Sequence, residues 1–392
     1  MIKLLTFSSL YPSSVRPNHG IFVETRLRYL LASGAVQSTV VAPVPWFPFK
    51  SERFGEYAAY ARTPSEETRN GIRVLHPRFA LLPKVGMSTA PALLAAAALP
   101  SLRRIIREGY DFDVIDAHYY YPDGVAAAIL GKLLQKPVVI TARGTDINLI
   151  PQYAGPRRMI RWAAQRAAKS ITVCEALRTS MTDLGIDAER IVALRNGVDL
   201  DRFSPVDREA QRAALGLDGF TLLSVGYLIP RKAHHLIIEA LTSLPDTRLL
   251  IAGEGPEKEN LIRLAQDLGV ANRVTMLGAL PQTELRNYYG AVDAMVLASS
   301  REGWANVLLE SMACGTPVVA SNVWGTPEVV ASPAAGVLME ERTAQGVAQA
   351  VERLRAHYPD HAATRAYAQG FSWDDTTNRQ IALFQQVLAE RG

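Results

Sequence analysis

The segment "AMVLASSREGWANVLLESMACGTPVVAS", residues 294–321, contains one complete strand–helix–strand unit. Its two ends, Ala294–Ala298 and Val318–Ser321, are short apolar runs bounded by turn residues, and such runs predict buried strands. The helix between them follows a loop that contains glycine and ends at Gly315, where Pro317 prevents its continuation. A helix that joins two short buried strands predicts a parallel βαβ unit.

Short apolar runs alternate with helical patterns in front of this unit as well. The other candidate strands are Ile2–Phe7, Ser38–Ala42, Ile72–Leu75, Val114–Asp116, Val138–Thr141, Ser170–Val173, Thr221–Val225, Arg248–Ala252 and Arg273–Leu277. The candidate helices between them include Phe22–Ala32, Gly124–Leu134, Leu236–Leu244 and Pro256–Leu268. Two successive sets of such units predict an α/β protein with two doubly wound parallel sheets.

The length of 392 residues also favours two domains, because one hydrophobic core rarely serves so long a chain. We expect an N-terminal domain of residues 1–196 and a C-terminal domain of residues 197–392, joined in the turn-rich segment 194–207. An amphipathic pattern predicts a further helix over about residues 372–390, which we expect to pack back toward the N-terminal domain.

The composition is typical of a soluble globular enzyme, with 48% hydrophobic and 20% charged residues. A net charge of +4 gives no indication of nucleic-acid binding. The two cysteines, Cys174 and Cys314, lie in apolar contexts, which favours a reducing compartment and predicts no disulfide. The first residues do not have the pattern of a signal peptide, and no apolar run has the length of a membrane span. We therefore expect a cytoplasmic protein.

Two glutamates, Glu302 and Glu310, flank the apolar start of the helix in the opening segment. One interpretation is a plain helix with two exposed acids. The other interpretation places Glu302 in the loop, makes Asn306 the N-cap and puts Glu310 one turn later. The backbone N–H groups of Val307 and Leu308 would then favour a phosphate, and a carboxylate one turn on could accept hydrogen bonds from a ribose diol.

A second candidate loop follows the strand that ends at Val225. It contains Gly226 and then Arg231 and Lys232, which the pattern puts at the start of the next helix. Cations are unfavourable at a helix start unless an anion lies there, so a diphosphate would satisfy both. The alternative is a pair of solvated surface charges. The later segment 322–330, "NVWGTPEVV", either begins another short helix or is a simple loop.

Polar residues also follow three strands of the N-terminal half. Gly20 lies at a helix start after the first strand, His118 follows the strand at Val114–Asp116, and Arg143 and Asp146 follow the next strand. The carboxyl ends of parallel strands meet at one edge of a sheet, which is where ligands of such sheets bind. A lone histidine is usually structural, but three polar loops at one edge favour a ligand site.

Together these loops resemble a large family of retaining glycosyltransferases with a Glu-x7-Glu motif, the glycosyltransferase family 4-like enzymes. The resemblance lies in "EGWANVLLESMACGTPVVAS", "WGTPEVV", "RNGVD" and "VGYLIPRKAHHLIIEAL". The opening "YPSSVRPNHGIFVETR" is similar to enzymes of bacterial surface-polysaccharide or teichuronic-acid assembly. The resemblance implies the GT-B fold, in which two Rossmann-like domains face each other across a cleft. It further implies that the N-terminal domain binds the acceptor and the C-terminal domain the nucleotide sugar.

The family's functional positions fall on named residues of this chain. In catalysis, the resemblance implies that Glu302 and His118 lie by the donor sugar and that Lys232 and Arg231 stabilise the leaving diphosphate. For donor binding it implies Gly20, Gly226, Gly303, Trp304, Ala305, Asn306, Val307, Leu308 and Glu310, the last of these at the ribose. Arg143 and Asp146 are the expected acceptor-binding residues.

Two positions depart from the family pattern. Tyr227 stands where the family usually has arginine after the glycine, so Arg231 is expected to supply that charge. Arg143 stands where the family often has histidine, which indicates an anionic acceptor.

The reaction expected from the resemblance is transfer of a sugar from a nucleotide-diphosphate sugar to an acceptor hydroxyl with retention of the anomeric configuration. No cofactor and no metal are expected, since the histidines do not form a zinc pattern and cationic residues can stabilise the leaving group. The acceptor is expected to be a glycan or a lipid-linked glycan. The basic segments 99–109 and 157–170 are typical either of helices on the inner face of a membrane or of solvated helix faces.

Three other functions fit parts of the pattern. A nucleotide-sugar epimerase of the same fold would use the same nucleotide contacts without an acceptor. A nicotinamide oxidoreductase would need a third glycine that "AGEGPEKEN" lacks. A nucleotide-binding module without catalysis remains the third alternative.

Overall fold

The computed structural model describes residues 1–81 and 86–390. The chain divides into two compact units. The first consists of Met1–Leu194 together with the chain from Asp374 onward, and the second of Arg195–Trp373. The chain thus leaves the first unit once and returns to it.

Among the described residues, the first unit contains ten strands, most of which are connected through helices. Its strands are β1 (Ile2–Phe7), β2 (Val36–Val41), β3 (Val44–Pro45), β4 (Glu66–Arg69), β5 (Ile72–Leu75), β6 (Arg78–Phe79), β7 (Val114–His118), β8 (Val138–Ala142), β9 (Lys169–Thr172) and β10 (Ile191–Ala193). Its first seven helices are α1 (Ile21–Ala32), α2 (Glu56–Arg62), α3 (Gly86–Arg107), α4 (Val125–Leu134), α5 (Thr145–Asn148), α6 (Ala154–Arg166) and α7 (Glu175–Asp183).

Eight of these strands form one sheet in the order β10-β9-β8-β7-β1-β2-β5-β4. All neighbours are parallel except β4 and β5, which form an antiparallel edge. Strands β3 and β6 make a separate two-stranded sheet. The chain builds one side of the large sheet outward from β1 and then restarts at β7 on the other side. The strand order therefore reverses between β1 and β7, which is the switch point of a doubly wound sheet.

The second unit repeats this plan with six parallel strands. Its strands are β11 (Phe220–Val225), β12 (Thr247–Ala252), β13 (Val274–Gly278), β14 (Ala294–Leu297), β15 (Val318–Ser321) and β16 (Gly336–Met339). The helices from here to the C-terminus are α8 (Arg208–Leu215), α9 (His234–Ala240), α10 (Lys258–Asp267), α11 (Gln282–Ala291), α12 (Asn306–Ala313), α13 (Thr326–Val329), α14 (Ala344–Ala356), α15 (His361–Gln369) and α16 (Trp373–Ala389). The sheet order β13-β12-β11-β14-β15-β16 puts the switch point between β11 and β14.

Each unit has its own apolar core. In the second unit, Leu222 and Ile251 of the sheet are buried with Ile237 and Val351 of the covering helices. In the first unit, the sheet core includes Leu383, Phe384 and Val387 of α16, which pack among Ile2 and Leu4 of β1. Helix α16 is therefore part of the first unit, although the second unit separates it in sequence.

The prediction of two parallel-sheet Rossmann-like domains is confirmed. The sequence pattern did not predict β4, β10 or β16, nor the small sheet of β3 and β6, because these strands are short or lie at sheet edges. Within the described ranges, no helix combines the length and apolar character that a membrane crossing requires.

Candidate active site

Two loops meet at the switch point of the second sheet. The first follows β11 and carries Gly226, Arg231 and Lys232, while the second follows β14 and carries Glu302. The backbone N–H of Ser300 donates to the Arg231 carbonyl at 2.9 Å, which ties the two loops together. The location is the one at which open α/β sheets bind ligands.

Side chains of these loops form a partly buried ion-pair cluster. Lys232 Nζ lies 2.7 Å from Glu302 Oε1, and Arg231 Nη1 lies 3.8 Å from the same oxygen. Burial by itself raises the pKa of Glu302, but Lys232, Ser299 and Arg231 together outweigh burial, so the net pKa lies below its ordinary value. Two cations facing one carboxylate leave the cluster with one net positive charge.

The sequence put Arg231 and Lys232 at a helix start, and this placement is wrong. Both residues lie in a 3-10 turn, Pro230–Lys232, and α9 begins only at His234. Ala233 joins the turn to the helix with a left-handed backbone, φ 53°. Gly226 has φ 155°, a backbone conformation that L side chains rarely adopt, and a Cβ there would be in ordinary contact with the Lys232 stem at 3.4 Å.

The start of α12 also differs from the expectation. Asn306 is the first helical residue and not the N-cap; Ala305 holds the cap position without a side-chain hydrogen bond. The Asn306 side chain instead accepts a hydrogen bond from Asn196 Nδ2 at 3.3 Å. Leu308 N–H donates to the Ala305 carbonyl at 3.0 Å, so its amide is engaged inside the protein. The helix begins one residue earlier than expected, which turns the Asn306 side chain away from a capping position.

Glu310 lies in the second turn of α12, and its hydrogen-bond partners are neutral side chains. Its Oε2 accepts from the Tyr289 hydroxyl at 3.2 Å and its Oε1 from Gln282 Nε2 at 3.4 Å. Burial raises the pKa of Glu310 to about 7. Glu302 and Glu310 are both only 9% exposed, which excludes the interpretation of two exposed helix acids.

Three residues around Glu310 were not found from the sequence. Tyr289 and Gln282 lie on α11, and Arg202 donates to Gln282 Oε1 at 2.5 Å. No local pattern marks them. Tyr289 and Gln282 reach Glu310 only because α11 packs beside α12, and Arg202 contacts Gln282 from outside α11. The one available signal was the polar face of α11 next to buried Leu285, which is equally typical of a solvated helix.

Residues 303–305 are buried, and the Trp304 side chain belongs to the packing of the second unit. Its indole lies 6.1 Å from the Phe371 ring, with the Arg195 guanidinium 5.7 Å from the indole centre. The expected donor contacts of Gly303, Trp304 and Ala305 therefore concern their backbone. Those contacts, and the one expected at Val307, stay predictions.

The switch point of the first sheet has a different chemistry. His118 is the last residue of β7, and its carbonyl accepts from Ser8 Oγ, just after β1, at 3.1 Å. Gly20 caps α1 with φ 70°, and a Cβ there would lie 2.2 Å from the Leu10 carbonyl oxygen. Only glycine tolerates both the left-handed backbone and this close approach. The structure thus explains Gly20 by loop packing, while its expected contact with a diphosphate stays a prediction.

His118 stands in a buried chain of charged groups. Arg143 Nη2 lies 2.7 Å from His118 Nδ1, and Asp116 Oδ2 lies 3.2 Å from His118 Nε2. Because a guanidinium can only donate, Nδ1 accepts and the ring proton is on Nε2, facing Asp116. Burial lowers the pKa of His118, so the ring is neutral. The Arg143 contact at Nδ1 fixes the tautomer of His118, with Nε2 close to the Asp116 carboxylate.

Asp146 is fully buried and holds the backbone of the loop. Its oxygens accept from the N–H groups of Tyr120 at 2.6 Å, Gly144 at 2.7 Å and Arg143 at 3.1 Å. Both carboxylate oxygens are thus occupied by backbone donors. The geometry supports a positioning role for Asp146, which keeps Arg143 beside His118.

Among the described residues, no group of three or more His, Cys, Asp or Glu side chains is arranged to hold a metal ion. The carboxylates at both switch points instead face cations or neutral donors.

Comparison with known proteins gives two family models that together span most of the chain. Residues 207–371 match the model "Glycosyl transferases group 1", and residues 25–202 match "Glycosyltransferase Family 4". The chain is 29% identical over 361 residues to the putative teichuronic acid biosynthesis glycosyltransferase TuaC of Bacillus subtilis, covering 90% of this chain and 89% of that protein. It is 30% identical over 366 residues to D-inositol 3-phosphate glycosyltransferase of Mycobacterium bovis, covering 86% and 75%.

Solved structures share the fold over the full length. Sucrose-phosphate synthase from Thermosynechococcus elongatus superposes with a TM-score of 0.81 at 20% identity and covers 100% of both chains. Anabaena HepE in complex with UDP superposes with a TM-score of 0.74 at 22% identity, covering 98% of this chain and 100% of that one. With two Rossmann-like units that each match a glycosyltransferase model, the chain belongs to the group 1 and family 4 glycosyltransferases and has the GT-B fold.

Proposed function

We propose that this protein is a retaining hexosyltransferase that moves a sugar from a nucleotide-diphosphate sugar to an acceptor hydroxyl in bacterial exopolysaccharide or cell-envelope glycan biosynthesis. The observation that carries the proposal is the Lys232–Glu302 pair at the switch point of the second sheet. Support for the donor class comes from HepE, whose structures contain UDP and UDP-glucose. Support for the pathway comes from the relative named for teichuronic acid biosynthesis.

The leaving group is the chemical problem that the cluster addresses. When the bond between the sugar and the diphosphate breaks, negative charge develops on the phosphate oxygen. Lys232 and Arg231 are already fixed by Glu302 and by the Arg301 carbonyl, which accepts from Arg231 Nη1 at 2.8 Å. Cations held in place before the reaction stabilise developing charge without reorganisation. In this proposal the cations replace a metal, and no cofactor takes part.

Glu310 is proposed to bind the ribose of the donor. Its two oxygens accept from neutral donors, Tyr289 and Gln282, and no salt bridge joins Glu310 to a cation of the described chain. A carboxylate in this environment retains its capacity to accept hydrogen bonds from a diol. Hydrogen bonds from a ligand favour the ionised form, so nucleotide binding would lower the pKa of Glu310.

Glu302 is proposed to position the donor sugar and the two cations. A salt-bridged glutamate with a lowered pKa is a poor proton acceptor, so a role as general base is not favoured. His118 and Gly20 keep their expected roles near the sugar and the diphosphate as parts of this proposal. Retention without a covalent nucleophile would require the departing phosphate to receive the acceptor's proton on one face of the sugar.

A lipid-linked glycan acceptor is supported by the surface of α6. Arg157, Arg158 and Arg161 are exposed on this helix, and the Arg166 guanidinium lies 4.4 Å from the Trp162 ring. Exposed arginines on an amphipathic helix bind anionic lipid surfaces. Sedimentation with vesicles of anionic and of neutral lipid tests this contact. We expect binding to the anionic vesicles alone, and no binding to either would remove the membrane from the proposal.

The donor is tested first by thermal unfolding with UDP, GDP and ADP. One of the three should raise the melting temperature, and the absence of any shift would contradict the donor site. Proton NMR of the product made from the corresponding nucleotide sugar then shows the anomeric configuration, and an inverted product would contradict retention.

The epimerase alternative predicts a different product when the nucleotide sugar is incubated with the protein. An epimerase would convert the nucleotide sugar into an isomer without any acceptor, whereas a transferase leaves the donor sugar unchanged apart from slow hydrolysis. The relatives named above are glycosyltransferases and a synthase, so nothing in the comparisons favours the epimerase.

A further inference from the structure

A cavity of about 190 Å³ opens in the first unit at the carboxyl edge of its sheet. Three wall segments follow three neighbouring strands: residues 9–11 follow β1, residues 42–45 follow β2, and His76 follows β5. This edge is where doubly wound sheets bind ligands. None of the residues assigned above to the donor or the acceptor lines the cavity.

Arg16 supplies the charge of the cavity wall. It is half-buried, its guanidinium lies 5.0 Å from the Tyr60 ring centre, and its Nη2 lies 2.9 Å from His19 Nδ1. Within the described ranges, no carboxylate lies within ion-pair distance of Arg16. In the same described ranges, the remaining guanidinium N–H groups of Arg16 have no hydrogen-bond acceptor. They are therefore available to a ligand.

His19 fixes the direction of this guanidinium. Its Nε2 lies 3.2 Å from the Ser9 carbonyl and therefore donates, which leaves Nδ1 to accept from Arg16. Burial lowers the pKa of His19 to about 4, so the ring stays neutral at physiological pH. With one N–H bound to His19 and its guanidinium carbon over the Tyr60 ring, Arg16 is oriented before any ligand arrives.

The second histidine of the wall has its own partners. His76 Nδ1 lies 2.9 Å from the Ala42 carbonyl, and its Nε2 lies 2.9 Å from Glu67 Oε1. Both ring nitrogens of His76 therefore have partners within the protein. The remaining wall includes the apolar groups of Val44, Pro45 and Phe79, as in sites that bind a ligand through apolar contact and a few polar groups.

We propose that this cavity binds an anionic sugar unit of the acceptor, with Arg16 holding its carboxylate or phosphate group. The planar guanidinium matches either anion with two parallel hydrogen bonds. The inference rests on the proposed sugar transfer, of which it specifies the acceptor class. It also moves the anionic contact from Arg143, whose guanidinium binds His118, to Arg16.

Saturation-transfer NMR on the full chain tests the proposal with three small probes. These are methyl glucuronoside, glucose 6-phosphate and the neutral methyl glucoside. We expect at least one anionic probe to bind more tightly than methyl glucoside. Arg16→Met should weaken that binding about 10-fold, because a charge-assisted pair is lost. Arg53→Met is the matched control, since Arg53 is exposed and does not line the cavity.

Each outcome decides the proposal. Binding of glucuronoside alone identifies a carboxylate, binding of glucose 6-phosphate alone identifies a phosphate, and binding of both identifies an unselective anion site. The proposal is overturned if methyl glucoside binds as tightly as the anionic probes. It is also overturned if Arg16→Met binds the anionic probes as tightly as the unsubstituted protein does. If Arg16→Met does not fold, Arg16→Gln gives the same readout with a polar side chain.

The same samples separate this proposal from the donor site. UDP, GDP and ADP are added to the unsubstituted protein and to Arg16→Met, and the nucleotide that binds should do so equally in both. If none of them binds, the donor proposal fails while the Arg16 result stands. If a nucleotide binds and no anionic probe does, only the cavity proposal fails.

Discussion

The two sheets reverse their strand order at the same place but put different chemistry there. In the second unit, the side chains of Arg231, Lys232 and Glu302 are 28%, 14% and 10% exposed. In the first unit, the side chains of His118 and Asp116 are 2% and 1% exposed. One switch point thus presents charges that a ligand can reach, and the other seals its charges in a network. Topology fixes where a site can form, and the side chains fix what the site can do.

The largest effect on activity is expected at the accessible charges of the second sheet's switch point. Lys232→Ala should lower kcat/KM for sugar transfer about 100- to 1000-fold, because one preorganised cation at the leaving group is lost. Initial rates with donor and acceptor measure the loss. Lys258→Ala, an exposed lysine on α10, is the matched control. A loss below threefold in Lys232→Ala would remove the cluster from the mechanism.

A substitution in the sealed network of the first unit should lower the stability of the protein. Asp116→Asn removes the carboxylate that faces His118 and that supports the charges of Arg26 and Arg143. Leaving buried cations without this partner should cost about 2–4 kcal/mol of unfolding free energy. Chemical denaturation measures the cost. Asp111→Asn, whose partner Lys136 forms an ion pair at the surface, should change stability by less than about 1 kcal/mol. Equal effects of both substitutions would contradict the sealed network.

Backbone packing at the first switch point is tested by a pair of glycines. Gly20→Ala meets both a positive φ and the Leu10 carbonyl at 2.2 Å, whereas Gly34→Ala meets only a positive φ. We expect a loss of about 1 kcal/mol in Gly34→Ala and a further 1–2 kcal/mol in Gly20→Ala. Thermal unfolding of the two variants gives the difference. Matching losses would mean that the loop relaxes away from residue 20.

The smallest effect concerns the protonation of Glu310. Because its pKa is about 7, affinity for the nucleotide should rise between pH 6 and pH 8 as the carboxylate ionises. The rise should be at most about 10-fold, which is the change in the ionised fraction over that range. Glu310→Gln should lose affinity at pH 8 and should lack the part of the pH dependence that comes from this group. Calorimetric titration at several pH values gives both curves, and parallel curves would contradict the ribose contact.

In the absence of ligand, the pH dependence of stability has the opposite sign to that of nucleotide affinity. Glu310 has a higher pKa in the folded protein than in the unfolded chain, so folding favours its protonated form. This stabilising contribution is fully present below the unfolded pKa and is lost as the pH rises through about 7. Glu310→Gln should therefore remove part of the decline in stability between about pH 4.5, the ordinary pKa of a glutamate, and about pH 7.

The comparison also separates what the sequence predicts from what it does not. Lys232 and Glu302 could be paired in advance, because each follows a buried strand and parallel strands end at one edge. Tyr289 and Gln282 could not, since they meet Glu310 only through the packing of α11 beside α12. Their distances from Glu310 along the sequence are too long for a contact within one helix or one strand.

In the first unit, the sequence contains a signal for one pair of neighbouring side chains. Asp116 and His118 are two residues apart on one strand, so their side chains share a face of the sheet. Their pairing follows from that alternation. Arg26 had no such signal, because an arginine in an amphipathic helix is usually solvated. Its burial depends on α16, where Gln380 Oε1 accepts from Arg26 Nε at 2.6 Å.

The return of α16 to the first unit has a consequence for synthesis. A ribosome that has made β1 through β10 has made every strand of the first sheet, but not the helix whose Leu383 and Phe384 cover Ile2 and Leu4. The whole second unit must be translated before that apolar surface is closed. The nascent first unit therefore carries an open apolar patch throughout this interval. A chaperone that binds apolar surface would find it during that interval, and the second unit can be folded before the first is complete.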